Sequence, residues 1–335
     1  MRRIVISKTK IHLIVLGFFF ASILAFTFCL HFTIRDYKHL RLENVKKEIG
    51  IETEAANKVI AKIGQAALFS ASGAQIALEY KSRPLGEEIA RRIMENTDVA
   101  GGVGFWFEPY RFSANVRQAG VYVFFDETGE SKIEDFAHVE VNYNYFNSGW
   151  YIEIARLLNA PGEVVWTRPY IDDSGTFALM ITAGAGVFDE DGSLIALSTV
   201  DWKITEIIEK LMKIKPSEGS IAILSDPEKD VIISTTLIID GTGEALSELP
   251  WDWDINSSSS ELYGVRFVTF HRVMDNGWLL SIKVPAKEIF AEVERRALIF
   301  VILFAITSFV LAILILLCAR RLILEGKKEL KFIDF

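Results

Sequence analysis

The chain has almost no cysteine. Its 335 residues include only Cys29 and Cys318, and each of them lies inside a long stretch without charged side chains. The segment between these stretches therefore has no disulfide to hold it together. At this length it can be stabilised by a hydrophobic core of its own. A disulfide framework is excluded.

The sequence also lacks the spacing of a metal or phosphate site. Its five histidines are scattered and none has metal-ligand spacing with a cysteine or a second histidine, so no transition-metal site and no cofactor are indicated. FDEDGS at 188–193 resembles the start of a calcium loop, but the twelfth position is Val200 rather than Glu, which favours a plain hairpin turn. GGVG at 101–104 lacks the strand-to-helix setting of a phosphate loop.

Two long stretches contain no Asp, Glu, Lys or Arg. They span residues 12–32 and 297–319, and each is long enough to cross a bilayer as a helix. For the first stretch a cleaved signal peptide is the alternative. Its apolar core is long and no clear small-x-small cleavage site follows it, which favours a membrane span. We therefore predict two transmembrane helices.

Basic residues flank the two apolar stretches on their outer ends. They are Arg2, Arg3, Lys8, Lys10, Arg320, Arg321, Lys327, Lys328 and Lys331. The positive-inside rule places residues 1–11 and 320–335 in the cytoplasm and residues 33–296 outside. We expect a multi-pass protein of the bacterial inner membrane with a periplasmic or extracellular domain. The net charge of -8 does not suggest nucleic-acid binding, because topology explains these basic residues.

A long helix is predicted for residues 34–80. Apolar residues recur along one seam at steps of three, four and seven: Val45, Ile49, Ala56, Val59, Ile63 and Ala66. The seam packs on the helix's own domain, or it also pairs with a second copy in a homodimer. The spacing alone leaves both interpretations open.

From residue 98 onward the pattern alternates. Segments rich in Val, Phe, Tyr and Trp are separated by turn signals such as Asp275-Asn276-Gly277, which predicts antiparallel sheets. An amphipathic helix is predicted at residues 201–214. The fold class is α+β, with a membrane-distal sheet module at about 85–212 and a membrane-proximal one at about 213–285.

Residues 143–202 carry the most specific pattern. YNYFNSGWY at 143–151 places aromatic residues around Asn147, Ser148 and Gly149, which favour a loop that presents a contact surface. Pro169-Tyr170-Ile171-Asp172 and then Asp201 follow. With two sheet modules between two spans, this chain resembles the double Cache sensor domains of bacterial chemoreceptors, sensor histidine kinases and diguanylate cyclases, over about residues 34–296.

The resemblance implies a small-molecule site built from Tyr143, Ser148, Trp150, Tyr151, Tyr170, Asp172 and Asp201. In family members that bind amino acids, an arginine two residues before the tryptophan holds the ligand carboxylate, and here that position is Ser148. The remaining carboxylates and rings suit an ammonium group. We therefore expect a cationic amine as ligand, with an amino-acid or carboxylate sensor of the same family as the alternative.

Without the resemblance, the same residues have other interpretations. Trp150 and Tyr151 could be core residues, Asp172 a turn residue and Asp201 the N-cap of a helix. The two aspartates could also form the acid–base pair of an external hydrolase, or the sheets could be a protein-binding scaffold. No nucleophile motif supports an enzyme, so we expect none. The tail at 320–335 contains no output domain, so we expect a fragment of a longer receptor or a separate cytoplasmic signalling protein.

Overall fold

The computed structural model describes residues 8–126, 128–135, 143–172, 176–227, 231–235, 258–262 and 265–333. The chain divides into two compact units. The first comprises residues 1–45 and 285–335, and the second comprises residues 46–284. Helix α1 (Lys8–Glu79) contributes residues to both units. Helix α5 (Ala286–Ile333) lies in the first unit.

In the first unit, α1 and α5 lie side by side. The rings of Phe26 and Phe304 stack with centroids 3.8 Å apart, and Lys38 Nζ lies 3.4 Å from Glu294 Oε1. Most apolar side chains here are exposed, and Leu16 and Phe309 are about two-thirds exposed, at 72% and 69%. Both helices are long and apolar enough to cross a membrane, and the predicted spans lie within them. Such a surface is stable in lipid rather than in water.

In the second unit, the predicted seam of α1 faces the unit's own core. Ile49, Ala56, Ile63 and Ala66 are all less than 9% exposed. These seam residues therefore pack within the chain, and the homodimer stays a prediction. The helix predicted at 34–80 is confirmed as part of α1.

The distal module contains helices and a seven-stranded antiparallel sheet with the strand order β3-β2-β1-β7-β6-β4, in which β5 also pairs with β6. Its elements are α2 (Arg83–Asn96), β1 (Gly102–Phe107), β2 (Ala119–Phe125), β3 (Ser131–Asp135), a 3₁₀ helix (Tyr145–Asn147), α3 (Gly149–Leu157), β4 (Val164–Trp166), β5 (Tyr170–Ile171), β6 (Leu179–Phe188), β7 (Leu194–Lys203) and α4 (Ile204–Lys213). The α+β class and the antiparallel sheet are confirmed.

The two faces of the distal sheet have different partners. Ser198 Oγ donates to the Ala67 carbonyl oxygen of α1 at 2.9 Å, so the even-numbered residues of β7 face that helix. Side chains alternate along a strand, so Thr199 and Asp201 point to the opposite face. The register pairs Thr199 with Gly104 and Asp201 with Gly102, which fixes the face of β1 as well.

The proximal module has a five-stranded antiparallel sheet with the order β10-β11-β12-β8-β9. Its strands are β8 (Ile221–Ser225), β9 (Val231–Ser234), β10 (Ser258–Leu262), β11 (Val265–Val273) and β12 (Leu279–Pro285). The predicted Asp275-Asn276-Gly277 turn is confirmed between β11 and β12, with Gly277 at a φ of +84°. Asn57 Oδ1 of α1 accepts the backbone N–H of Asp275 at 2.8 Å, which anchors this turn on the helix.

The two modules meet at a pair of tryptophans. Trp166 of β4 and Trp278, directly before β12, make an edge-to-face contact with ring centroids 5.0 Å apart. A groove of about 680 Å³ runs beside them, lined by α3 and β4 on one side and by Asp226, Pro227 and Ile232 on the other. The outer side of α3 therefore faces the proximal module.

Candidate functional site

The aromatic segment is more ordered than the predicted loop. Tyr145–Asn147 form a 3₁₀ turn, and α3 begins at Gly149. Trp150 and Tyr151 lie in the first turn of α3 and are 7% and 4% exposed. The predicted loop is instead a 3₁₀ turn followed by a helix, and the rings turn inward onto the sheet and join a buried aromatic cluster.

Asp201 is the central polar group of the distal sheet. It lies in β7 and is 3% exposed, so the alternative of a helix N-cap is wrong. Its Oδ1 accepts the Thr182 hydroxyl of β6 and its Oδ2 accepts the Tyr122 hydroxyl of β2, each at 2.6 Å. The two donors come from strands on either side of it, so the sheet register holds the carboxylate in a fixed orientation.

A second hydroxyl extends this hydrogen-bond chain. The Tyr170 and Thr182 hydroxyl oxygens are 2.7 Å apart. An ionised Asp201 only accepts, so Thr182 donates to it, and the Tyr170 hydroxyl must then donate to Thr182. The chain therefore directs hydroxyl protons toward the buried carboxylate.

Asp172 combines two of its predicted roles. Its Oδ2 accepts the backbone N–H and the hydroxyl of Thr176 at 2.7 and 2.8 Å, which is turn chemistry. The residue is nevertheless only 6% exposed and lines the same cleft as Asp201. The turn fixes the direction in which the carboxylate points.

Ser148 acts on the cleft through Tyr143. Its hydroxyl donates to the Tyr143 hydroxyl oxygen at 2.9 Å, and Trp150 Nε1 donates to the same atom at 3.0 Å. Because its side chain is used in this way, Ser148 gives no side-chain cap to α3. Ser148 therefore positions Tyr143 and does not itself line the cleft.

The cleft contains five of the seven residues predicted from the sequence. Its volume is about 10 Å³, roughly the space of one water molecule. Ser148 and Tyr151 are not brought to its surface, and the Tyr151 hydroxyl instead donates to Glu108 Oε1 at 2.5 Å. The lining consists of Trp106, Tyr122, Tyr143, Trp150, Tyr170, Asp172, Thr199 and Asp201.

Sequence reasoning missed Trp106, Tyr122 and Thr199, all of which line the cleft. Trp106 Nε1 donates to Thr199 Oγ1 at 2.8 Å, across Gly104. A Cβ on Gly104 would lie 2.6 Å from Thr199 Oγ1, and one on Gly102 would lie 2.7 Å from Tyr122 Cζ. The available signal was GGVGFW, whose alternate glycines make room for large side chains from neighbouring strands.

The buried carboxylate of Asp201 dominates the electrostatics of the cleft. Burial raises the pKa of Asp201 to about 7; hydrogen bonds from Thr182 and Tyr122 oppose this rise, and the Asp172 carboxylate adds to it. Burial also raises the pKa of Tyr122 and of Tyr170 well above the usual value, so both phenols stay protonated donors. Among the eight lining residues there is no Lys or Arg. A cation is a group that would balance the charge of the Asp201 carboxylate.

Comparison with known proteins agrees with this architecture. Residues 87–209 match the family model described as the first PDC sensor domain of methyl-accepting chemotaxis protein-like receptors. No curated protein sequence matches the chain. Residues 87–209, which make up most of the distal module, are therefore similar to chemoreceptor-type PDC sensor domains.

Solved structures extend the similarity to both modules. A structure titled methyl-accepting chemotaxis protein X has a TM-score of 0.57 at 18% identity and covers 75% of this chain and 99% of its own. The extracellular domain of the histidine kinase mmHK1S-Z2 gives 0.56 at 16%, covering 75% and 99%. The Campylobacter jejuni chemoreceptor Tlp3 in complex with L-valine gives 0.53 at 14%, covering 77% and 98%. The predicted double Cache fold is confirmed.

Proposed function

We propose that the chain is a transmembrane signal-transduction receptor whose distal cleft binds a small cationic amine. The observation that carries the proposal is the carboxylate of Asp201, which is 3% exposed and lies in a cleft walled by aromatic rings. An ionised carboxylate in such a place is costly unless a cation accompanies it. Aromatic faces attract the same cation, so one ligand group satisfies both.

The absence of a basic group in the lining favours an amine without a carboxylate. A carboxylate is best held by the two parallel N–H donors of an arginine. The eight lining residues supply hydroxyls and two indole N–H groups instead, and Ser148 is hydrogen-bonded to Tyr143. A biogenic amine, a polyamine or a quaternary ammonium compound fits this lining.

A second candidate is an amino-acid sensor. Two similar structures are of the Campylobacter jejuni chemoreceptor Tlp3 in complex with L-valine and with 4-methylisoleucine. An amino acid has an ammonium group that Asp201 would hold in the same way. Its carboxylate would then need a donor beyond the present lining.

The small volume of the cleft requires that it open on binding. Trp150 and Tyr143 close it together, and one hydrogen bond of 3.0 Å joins them. An entering ammonium group replaces this contact with charge-assisted hydrogen bonds to Asp201 and Asp172. Ligand binding thus moves the first turn of α3, which carries Trp150.

The proposal includes the membrane setting of the receptor. Residues 12–32 and 297–319 would span the inner membrane and residues 33–296 would lie in the periplasm or medium, as the basic flanks predict. We propose a homodimer that passes the signal through α5 to a cytoplasmic signalling domain or protein. Asp172 and Asp201 would recognise the ligand and catalyse nothing.

Thermal unfolding of the full chain in detergent micelles tests the proposal. The probes are isobutylamine, putrescine and choline as amines, valine and isoleucine as amino acids, and isovalerate as a carboxylate. A ligand of the folded state at 100 times its Kd stabilises by about 2.7 kcal/mol. We expect the amines to raise the midpoint, and Asp201→Asn to abolish the effect.

The matched control is Asp191→Asn, which changes an exposed carboxylate in the β6–β7 turn. It should respond to amines like the wild type. If amino acids raise the unfolding midpoint and amines do not, the chain is an amino-acid sensor rather than an amine receptor. If no compound gives a rise that depends on Asp201, the distal cleft is not the ligand site.

A further inference from the structure

The proximal sheet also has a face turned away from α1. Arg272 of β11 reaches α1, where its Nη1 donates to the Gly50 carbonyl oxygen and to Thr53 Oγ1, both at 3.3 Å. Its neighbour His271 therefore points to the other side of the sheet. There His271 Nδ1 lies 2.9 Å from Ser281 Oγ of β12. Lys283, two residues after Ser281, shares this face.

This face carries buried basic groups. Lys283 and His271 are each 3% exposed, and Ser281 and Thr269 beside them are 1% and 0% exposed. A lysine is almost never buried so completely unless it is paired. The ion pairs formed between described residues do not include Lys283.

His271 has an unused hydrogen-bonding atom at the same place. Within the described part of the chain, its Nε2 is buried and has no hydrogen-bond partner. Burial lowers the pKa of Lys283, and burial together with the Lys283 ammonium lowers the pKa of His271. The imidazole is therefore neutral at pH 7. With Nδ1 accepting from the Ser281 hydroxyl, Nε2 carries the proton and can donate it to a ligand.

The two modules thus have opposite chemistry on equivalent faces. In the distal sheet, the face away from α1 holds the carboxylates of Asp172 and Asp201. In the proximal sheet, the corresponding face holds an ammonium and a neutral imidazole. One positive charge with a few neutral donors suits a monovalent anion, whereas a phosphate dianion needs more donors or a second cation.

We propose that the proximal module binds a small organic monocarboxylate on this face. Lys283 Nζ and His271 Nε2 donate to the carboxylate oxygens, and Ser281 holds the imidazole in the donating tautomer. The bound anion neutralises the ammonium of Lys283, a residue that is only 3% exposed. The site is separate from the distal cleft and does not depend on what that cleft binds.

Calorimetric titration of the full chain in detergent micelles with acetate and propionate tests this proposal. Chloride and inorganic phosphate at equal ionic strength are the competing anions. We expect saturable carboxylate binding that Lys283→Met weakens at least tenfold, since a charge-assisted hydrogen bond is lost. His271→Phe keeps an aromatic ring and removes the donor, and it should weaken binding several-fold.

Two measurements keep the test decisive. Lys213→Met removes an exposed ammonium of α4 and should leave carboxylate binding unchanged. Lys283→Met should raise the unfolding midpoint when no carboxylate is present, which also proves that the variant folds. The proposal is overturned if neither carboxylate binds saturably, if phosphate binds more tightly than acetate, or if Lys283→Met binds acetate like the wild type.

Discussion

Asp201 shows how single residues set the properties of the cleft. Its carboxylate is buried with two hydroxyl donors and a second carboxylate nearby, and its pKa is raised from 3.8 to about 7. A carboxyl group that binds its proton more tightly in the folded state makes folding less favourable as pH rises. The folded protein keeps this proton where the unfolded chain has lost it, so stability falls from about pH 4 to about pH 7.

The first prediction concerns this pH dependence. Asp201→Asn keeps the size of the side chain and removes the titration, so the variant should lose the fall in stability between pH 4 and 7. From about pH 4 to pH 8 the wild type should lose on the order of 4 kcal/mol of stability that the variant keeps. Unfolding midpoints of the full chain at pH 5 and pH 8 measure it. Asp191→Asn is the control, and a slope in Asp201→Asn equal to that of the wild type would contradict the account.

At the level of single residues, the sequence predicted part of the cleft. Tyr143, Trp150, Tyr170, Asp172 and Asp201 were found through their resemblance to a known pattern, and all five line the cleft. The missing residues, Trp106, Tyr122 and Thr199, reach the cleft only because the strand register places them beside glycines. Register depends on long-range pairing, which a local pattern does not specify.

Helix α3 is the element that connects the cleft with the proximal module. Trp150 on its inner side lines the cleft, while Ile152, Glu153 and Arg156 face the groove between the modules. Glu153 also accepts the backbone N–H of Arg168, with its nearer oxygen at 3.3 Å. A shift of α3 on ligand binding would therefore change both surfaces at once.

The tryptophan contact between modules gives the second prediction. Trp278 is 3% exposed and packs edge-to-face on Trp166. Trp278→Ala should cost about 3–5 kcal/mol, because it leaves a cavity at a buried contact. Trp278→Phe should cost less. Chemical unfolding of the full chain measures both variants.

The control for this contact is Tyr80→Ala, which removes a ring that is 72% exposed at the end of α1. It should change stability by less than about 0.5 kcal/mol. If Trp278→Ala were as mild as this control, the two modules would not be coupled through the tryptophans.

The elements themselves were largely predictable because their periodicity is local. The long helix, the hairpin at Asp275-Asn276-Gly277 and the amphipathic α4 were all expected. The start of α4 was placed at Asp201 instead of Ile204, because Asp before an apolar run is also a cap signal. The spacing of the α1 seam did not show what the seam packs against, because packing on a sheet and pairing with a second helix use the same apolar stripe.

The whole molecule combines a double Cache fold with two apolar helices. Those helices expose large side chains such as Leu16 and Phe309, whereas the second unit has a buried core of its own. This division of surfaces supports the proposed receptor topology, in which only residues 12–32 and 297–319 meet lipid.

Cysteine labelling in bacterial spheroplasts gives the third prediction. Cys29→Ser and Cys318→Ser remove both native thiols, and Asp191→Cys or Lys327→Cys then adds a single one. We expect a membrane-impermeant maleimide to label position 191 in intact spheroplasts and position 327 only after permeabilisation. Labelling of position 327 in intact spheroplasts would reverse the orientation that the basic flanks predict.

The central claim is that the distal cleft selects an ammonium group and requires no carboxylate. Three compounds with the same branched side chain test it most directly. L-valine carries both an ammonium and a carboxylate, isobutylamine carries only the ammonium, and isovalerate carries only the carboxylate. The measurement is calorimetric titration of each compound into the full chain at pH 7.5, for the wild type and for Asp201→Asn. We expect isobutylamine to bind at least as tightly as L-valine, and we expect Asp201→Asn to weaken this binding at least tenfold. Binding of L-valine with no detectable binding of isobutylamine would contradict it, since the carboxylate would then be the group that the cleft recognises.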